Sequence, residues 1–242
     1  MKKRPLILGH RGYRAKFPEN TMLAFQKALD FGADGIECDV QKTNDGVFIV
    51  FHDDTTGRLT GVDGTIAVMD YAQITALRVN GEPIPRLSEL VIACSHSYVN
   101  IELKGDTVTA NDCPGILREI SKTVQPESTM ISSFHHHLLP YFRRHGYPIG
   151  MLVGDEYIQK GIIRLLWDIA RLHPDHVNLP IGVFHYANRF VIKTTLSIMH
   201  LLGIKLVFWT VNSEDDFNTV IPFADCIITD EVEKTVVRVK NL

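Results

Sequence analysis

The sequence predicts an α/β fold, an eight-stranded parallel barrel of the (β/α)8 TIM barrel type with a small insertion after its second strand. Three observations predict it. The chain has 242 residues, close to the ~250 that such a barrel uses. Short apolar runs recur eight times with helix-like segments between them. Several of those runs are apolar on both faces, as strands covered on both sides must be. No internal repeat or low-complexity linker breaks the alternation, so residues 1–242 read as one domain.

The first strand is expected at residues 6–9. The first helix follows at residues 21–31, with Met22, Phe25, Ala28 and Leu29 on one stripe and Asn20 as its N-cap. The second strand is expected at residues 35–40, leading through a hairpin at Thr43-Asn44-Asp45-Gly46. Residues 53–85 then lose the pattern: Gly57, Gly61, Gly64 and Gly81 punctuate a stretch with many Thr and Asp and few apolar runs. That stretch reads as an insertion over one end of the barrel, the end where loops carry chemistry. The remaining strands are expected at residues 98–103, 129–132, 149–153, 176–179, 206–210 and 226–229. Helices are expected at residues 88–95, 115–123, 137–145, 161–172, 188–202 and 214–223, with Gly203 as a stop.

A formal net charge of -3 makes the chain as a whole a poor match for nucleic acid, so any phosphate affinity must be local. Cys38, Cys94, Cys113 and Cys226 show no CxxC spacing and read as buried thiols of a reducing compartment. The basic start Met1-Lys2-Lys3-Arg4-Pro5 precedes only Leu6-Ile7-Leu8, shorter than the roughly 7–15 residues of a signal-peptide core. No stretch reaches the ~20 apolar residues that span a bilayer. The chain is therefore expected to start at or near residue 1, to be cytoplasmic and to make no stable membrane insertion. A homodimer is compatible with the sequence.

The candidate site lies at the ends of the early strands. Glu37 and Asp39 are two apart on a strand and share a face. Two anions there repel each other and lose hydration, and a divalent cation removes both problems. The alternative is a strand end opening into water. If Asp45-Gly46 is a two-residue loop, Asp39 stands opposite His52 on the same face. A three-residue loop would turn His52 to the other side. His10 and Arg11 end the first strand. The Arg11 guanidinium offers a fork to phosphate, and Gly12 would let backbone come close. Pro18-Glu19-Asn20-Thr21 is either a helix cap or part of the site. Glu102 and Lys104 share a face, as an ion pair or as a third carboxylate with a phosphate-facing cation. Three carboxylates would make an oxygen-rich site suited to magnesium or calcium rather than zinc. Trp209 is core or pocket wall, and Asp230 reads as a loop cap. Consecutive residues His135-His136-His137 cannot converge on one ion and read as a solvated helix start.

The ordered set His10-Arg11-Gly12, Pro18-Glu19-Asn20-Thr21, Glu37-x-Asp39, Asp45-Gly46 through His52-Asp53, and Asn100-Ile101-Glu102-Leu103-Lys104 resembles the glycerophosphodiester phosphodiesterases of bacterial cytoplasmic type. The resemblance continues through residues 84–90 and 132–134 to Trp209-Thr210-Val211-Asn212 and Ile228-Thr229-Asp230. It implies His10 and His52 as a general acid–base pair and Glu37, Asp39 and Glu102 as ligands of Mg2+ or Ca2+. It implies Arg11 and Lys104 as phosphate contacts, with Glu19, Asn20 and Trp209 grouped among the substrate-binding residues. The implied reaction releases glycerol 3-phosphate and an alcohol from a small-molecule glycerophosphodiester, by attack of water or of a neighbouring glycerol hydroxyl. One departure is Asp230-Glu231-Val232, where the family often has proline two residues after the aspartate. Two alternatives stay open. The same site could release head groups from lysophospholipids in a phospholipase D manner, with Phe51, Phe134, Tyr186 and Trp209 as apolar surface. Or the barrel could be a silent phosphodiester-binding module, which would be expected to have lost one of these residues.

Overall fold

The structure is a computed structural model that describes residues 4–154, 156–186 and 189–242, with backbone alone for 158–160, 185, 186 and 189. Met1, Lys2, Lys3, residue 188 at the start of one expected helix, and the side chain of Tyr186 fall outside the described residues.

The strands are β1 (Leu6–His10), β2 (Gly35–Lys42), β3 (Phe48–Val50), β4 (Arg78–Val79), β5 (Glu82–Pro83), β6 (Tyr98–Leu103), β7 (Thr129–Ser133), β8 (Ile149–Leu152), β9 (His176–Pro180), β10 (Lys205–Trp209) and β11 (Cys226–Thr229). The helices are α1 (Met22–Asp30), α2 (Gly57–Thr60), α3 (Tyr71–Ile74), α4 (Leu87–Ala93), α5 (Cys113–Ile120), α6 (Leu139–Arg144), α7 (Glu156–Leu172), α8 (Val183–Tyr186), α9 (Arg189–Leu201), α10 (Glu214–Val220) and α11 (Val232–Lys240). Parallel pairing runs β1-β2-β6-β7-β8-β9-β10-β11 and returns to β1, closing an eight-stranded TIM barrel. The hairpin strand β3 lies antiparallel on the upper part of β2.

The core has two main layers. Outward faces of the strands pack against the helices, with Phe25, Val99, Phe142 and Phe208 fully buried. The barrel interior is filled low down by Leu8, Met130, Val207, Cys226 and Ile228. A third cluster lies under the irregular stretch: Ile66, Ile74, Leu77, Val79 and Ile84 close over Ile49 and Phe51. That contact ties α2, α3, β4 and β5 to the strand that leads into His52. All four cysteines are buried free thiols. Among the described residues no helix is long and apolar enough to cross a membrane.

Five local points differ from the sequence expectation. The hairpin has a three-residue connection: Thr43 donates to the Val47 carbonyl, Gly46 takes a φ of 85°, and Val40 pairs with Val50. Helix α1 is capped by Thr21, whose Oγ1 accepts from the Ala24 amide at 3.2 Å, not by Asn20. Gly12, at a φ of 80°, makes room for α1: a Cβ there would lie 2.5 Å from the Ala24 carbonyl carbon. The helix expected from Gly161 begins at Glu156, and Gly161 interrupts it with φ 75° and ψ 169°. The sequence reading stops before α11, which buries Val232, Thr235, Val236 and Val239 as one stripe.

Candidate active site

The carboxyl ends of the barrel strands surround a small cavity, and the polar side chains of the chain's early motifs meet there. His10, Arg11, Glu37, His52, Glu102, Lys104 and Trp209 all line it. Asp39 is buried just behind Glu37 and Glu102. Glu37, Asp39 and Glu102 each bring a carboxylate oxygen within 4.8 Å of the other two. Glu37 and Asp39 are inward neighbours on β2, and Glu102 is the register partner of Asp39 on β6.

The electrostatics show how strained this arrangement of anions is. Burial, then repulsion from Asp39 and Glu102, pushes the Glu37 carboxyl well above the usual range. Burial and then Asp39 push Glu102 up to about 7. Burial works against Asp39 as well, but Arg11 and Lys104 outweigh it and hold that carboxyl low. An all-oxygen donor set, with two of three carboxylates destabilised by one another, fits a hard divalent cation.

The cations stand beside the acids. Lys104 Nζ is 3.2 Å from Glu102 and 3.7 Å from Asp39. Arg11 sits at a φ of 52°, a left-handed conformation uncommon for a non-glycine residue. Its amide donates to Glu37 at 3.0 Å, and its carbonyl accepts from Asn20. Its Nη1 donates to Glu19 at 2.8 Å. Its Nε is 3.3 Å from Asp39 but is buried with no hydrogen-bond acceptor. Arg11 itself lines the cavity, so its charge is set against whatever anion enters there.

Each imidazole is fixed by a carboxylate. His10 Nδ1 is 2.7 Å from Asp230, which Asn212 and Arg14 hold in turn. His10 Nε2 lies 4.0 Å from Glu37. His52 Nδ1 is 2.7 Å from Asp53, and Arg58 of α2 binds both oxygens of Asp53. With Nδ1 committed to a carboxylate, Nε2 of each ring is left for the cavity. Burial, aided by Arg11 and Lys104, lowers the His52 pKa from its ordinary value.

His52 reaches the cavity by a route that strand alternation does not describe. The observed register puts Phe51 opposite Asp39, and the Phe51 amide donates to the Asp39 carbonyl at 3.0 Å. Strand β3 ends at Val50, so the next residues are free to leave the pleat. The fully buried Gln41 catches them: its amide nitrogen donates to the carbonyls of Phe51 at 3.1 Å and of Asp53 at 2.7 Å. The peptide that carries His52 is clamped on both sides.

Residues 10–234 match the model of the glycerophosphoryl diester phosphodiesterase family. The chain belongs to that family. A glycerophosphodiester phosphodiesterase of Caldanaerobacter subterraneus subsp. tengcongensis is 32% identical over 253 residues, with 98% of both chains covered. The human glycerophosphodiester phosphodiesterase 1 is 27% identical across 86% of this chain and 72% of its own. Among solved structures, a glycerophosphodiester phosphodiesterase from Thermotoga maritima superposes with a TM-score of 0.85 at 29% identity, covering 98% of this chain and all of its own. An Oleispira antarctica phosphodiesterase in complex with the product sn-glycerol-3-phosphate shares the fold, with a TM-score of 0.84 at 21% identity over 98% of this chain and 97% of its own.

Two of the family positions do not line the cavity. Glu19 is buried behind Arg11 and gathers Arg11, Arg14 and Arg58. Burial opposes its charge, but those arginines outweigh burial and hold its carboxyl at about 2. Asn20, at a φ of 56°, turns its amide to Asp39 at 2.9 Å. Trp209 does form a wall, edge-on to Phe134 with ring centroids 5.9 Å apart. Sequence reasoning missed Asp53, Asp230, Gln41, Arg58 and Asn212 as supports of the two imidazoles. The carboxylate next to His52 and the aspartate at the last strand end were the available signals. Of the three consecutive histidines, His136 is half-buried and binds the Leu152 carbonyl at 2.8 Å, so it serves β8 rather than solvent.

Proposed function

We propose that this chain hydrolyses glycerophosphodiesters to glycerol 3-phosphate and an alcohol. In this reading Glu37, Asp39 and Glu102 hold a divalent cation, and His10 and His52 exchange the protons. The observation that carries the proposal is the convergence of three carboxylates within 4.8 Å beside two imidazoles whose Nδ1 atoms are each tied to an aspartate. Family membership and the product held by the Oleispira relative support the substrate class.

Magnesium or calcium bound there would neutralise charge on the phosphate and help to orient it. The remaining work falls to side chains. Arg11 and Lys104, which line the cavity, set their positive charges against the phosphate and against the further negative charge that develops on its oxygens as the nucleophile adds. Asn20 and Glu19 hold Asp39 and Arg11 in place. His52, whose pKa is lowered, is unprotonated near neutral pH and takes the proton from the nucleophile, which is water or the adjacent glycerol hydroxyl. As the new P–O bond forms, the bond to the alcohol oxygen breaks. His10, backed by Asp230, delivers a proton to that oxygen.

A silent binding module gains no support, because both rings, Glu37, Glu102 and both cations line one cavity, with Asp39 close to the two glutamates. The test is a coupled assay for glycerol 3-phosphate release from glycerophosphocholine and glycerophosphoethanolamine, on wild type and Glu37→Gln. Magnesium or calcium should support release, and chelator or the substitution should abolish it. No release by wild type with either cation, or release that chelator leaves untouched, would overturn the proposal.

A further inference from the structure

We propose that the outer faces of α7 and α9 form a docking surface for a lipid bilayer with anionic head groups, and that the protein binds membranes peripherally through it. The surface lies on the outside of the barrel and shares no residue with the phosphodiester cavity. Its test needs neither cation nor substrate, so it stands or falls apart from the catalytic reading.

A helix on the outside of a barrel ordinarily buries one apolar stripe and turns charge to water. Helices α7 and α9 do the first: Leu165 and Ile169 of α7 and Ile192 and Leu196 of α9 are buried in the core. They do not do the second. Ile163 and Trp167 of α7 are 82% and 66% exposed, and Leu201, the last residue of α9, and Leu202 beside it are 87% and 66% exposed. Among the described residues, most of the exposed large hydrophobic side chains lie on these two helices or at residue 202. The two faces adjoin, since Ile162 and Leu165 line one depression with Ile192 and Leu196. Apolar surface gathered in this way marks a face that something covers.

Charge chooses the occupant. The exposed charged side chains on the described residues of α7 and α9 are Arg164, Arg171 and Lys193, in a chain whose formal net charge is -3. The acids of α7 are partly buried, and Asp168 is already held by Arg164 at 2.7 Å and by the Tyr157 hydroxyl at 2.8 Å. The next helix round the barrel, α10, turns Glu214 and Asp215 to solvent and bounds the face on that side. A second copy of the chain related by a two-fold axis would set this face against itself, cations included, with no exposed acid on either helix to meet them. Lipid phosphates supply the missing counter-charge. Ile163, Trp167 and Leu201 enter the acyl boundary, and the long stems of Arg171 and Lys193 reach up to the head groups. Neither helix is long and apolar enough to cross the bilayer, so both lie along its surface. A glycerophosphodiester is a phospholipid without its acyl chains, so docking holds the catalytic cavity where such molecules are released.

The test is co-sedimentation of the full chain, in chelator, with phosphatidylcholine vesicles that contain or lack phosphatidylglycerol. Binding should require phosphatidylglycerol and weaken as salt is added. Ile163→Ser and Leu201→Ser should each weaken it on the order of tenfold, and Arg171→Gln and Lys193→Gln by about fivefold each, with melting temperatures near that of wild type. Trp209→Phe leaves Trp167 as the sole tryptophan, and lipids brominated in the acyl chain should quench its emission. No binding to the phosphatidylglycerol vesicles, binding that all four substitutions leave unchanged, or unquenched Trp167 in bound protein would overturn the proposal. So would a dimer in sedimentation velocity that Ile163→Ser and Leu201→Ser dissolve, because the face would then belong to a second copy. If Ile163→Ser or Leu201→Ser melts early, Arg171→Gln and the quenching of Trp167 decide.

Discussion

Replacing Glu102 by glutamine should stabilise the protein in chelator and destabilise it in magnesium or calcium, with the first effect growing as pH rises. In the unfolded chain Glu102 ionises at its ordinary value of 4.5, and in the folded protein burial and Asp39 delay ionisation to about 7. Between those values the folded state binds more protons than the unfolded state, so the contribution of Glu102 to stability falls as pH rises. It is fully present below 4.5 and lost once pH passes about 7. The shift corresponds to an upper bound of about 3 kcal/mol. For a domain of this size that is a melting shift of roughly 6–12 °C. Glu19, Asp39 and Asp53 are held low, so their contributions are already complete across this window. His52, lowered, and buried His176, pushed down to about 4, act the opposite way over the same range and mask the effect in the wild-type curve alone. The difference between wild type and Glu102→Gln removes them. Urea denaturation of both proteins at intervals from pH 4.5 to pH 8, in chelator and then in excess cation, supplies that difference. A gap that does not change with pH, or that keeps its sign when cation is added, would refute the charge balance drawn for the three carboxylates.

Three further outcomes follow from the same geometry. His10→Ala and His52→Ala should each lower kcat by about 10²–10⁴ while cation still raises the melting temperature, as turnover and thermal melts together would show. The acidic limb of the kcat/KM profile should fall below the ordinary histidine value of 6.5, because burial with Arg11 and Lys104 lowers His52; a limb above that value would remove His52 as the base. Gln41→Leu should leave the Phe51 and Asp53 carbonyls without their donor, at a cost of about 1–3 kcal/mol. It should also reduce kcat more than it raises KM, since it releases His52 rather than the phosphate contacts.

The barrel was legible because several of its strands are apolar on both faces and helix-like segments alternate with them along the whole chain. Observed and expected strand limits differ by only a residue or two. Helix α11 was not read, although Val232, Val236 and Val239 have helical spacing. Valine is a weak helix former, and the segment begins directly after the Asp230 motif at Glu231, whose side chain makes no capping hydrogen bond. Within the site, Glu37 and Asp39 were legible from their two-residue spacing on β2, and Glu102 from its place two residues before Lys104 at the end of β6. The placement of His52 was not. Its expected position assumed a two-residue hairpin, and the three-residue connection reverses that prediction. The early end of β3 and the Gln41 clamp then return the ring to the cavity, which no periodicity encodes. Asn20 shows the same limit. Its sequence context fits a cap, and only a backbone at φ 56° turns its side chain to Asp39. Arg58, which steadies both Glu19 and the Asp53–His52 pair, comes from the irregular stretch, where composition predicts position but no contact.

The central claim is that Glu37, Asp39 and Glu102 hold one divalent cation beside His10 and His52. Diffraction from crystals grown with Mn2+ tests it most directly through the anomalous signal of the ion. The account predicts one strong peak at roughly 2.0–2.6 Å from an oxygen of each carboxylate, absent from Glu37→Gln crystals grown in the same way. No peak among the three acids, or a peak that persists in the variant, would contradict it.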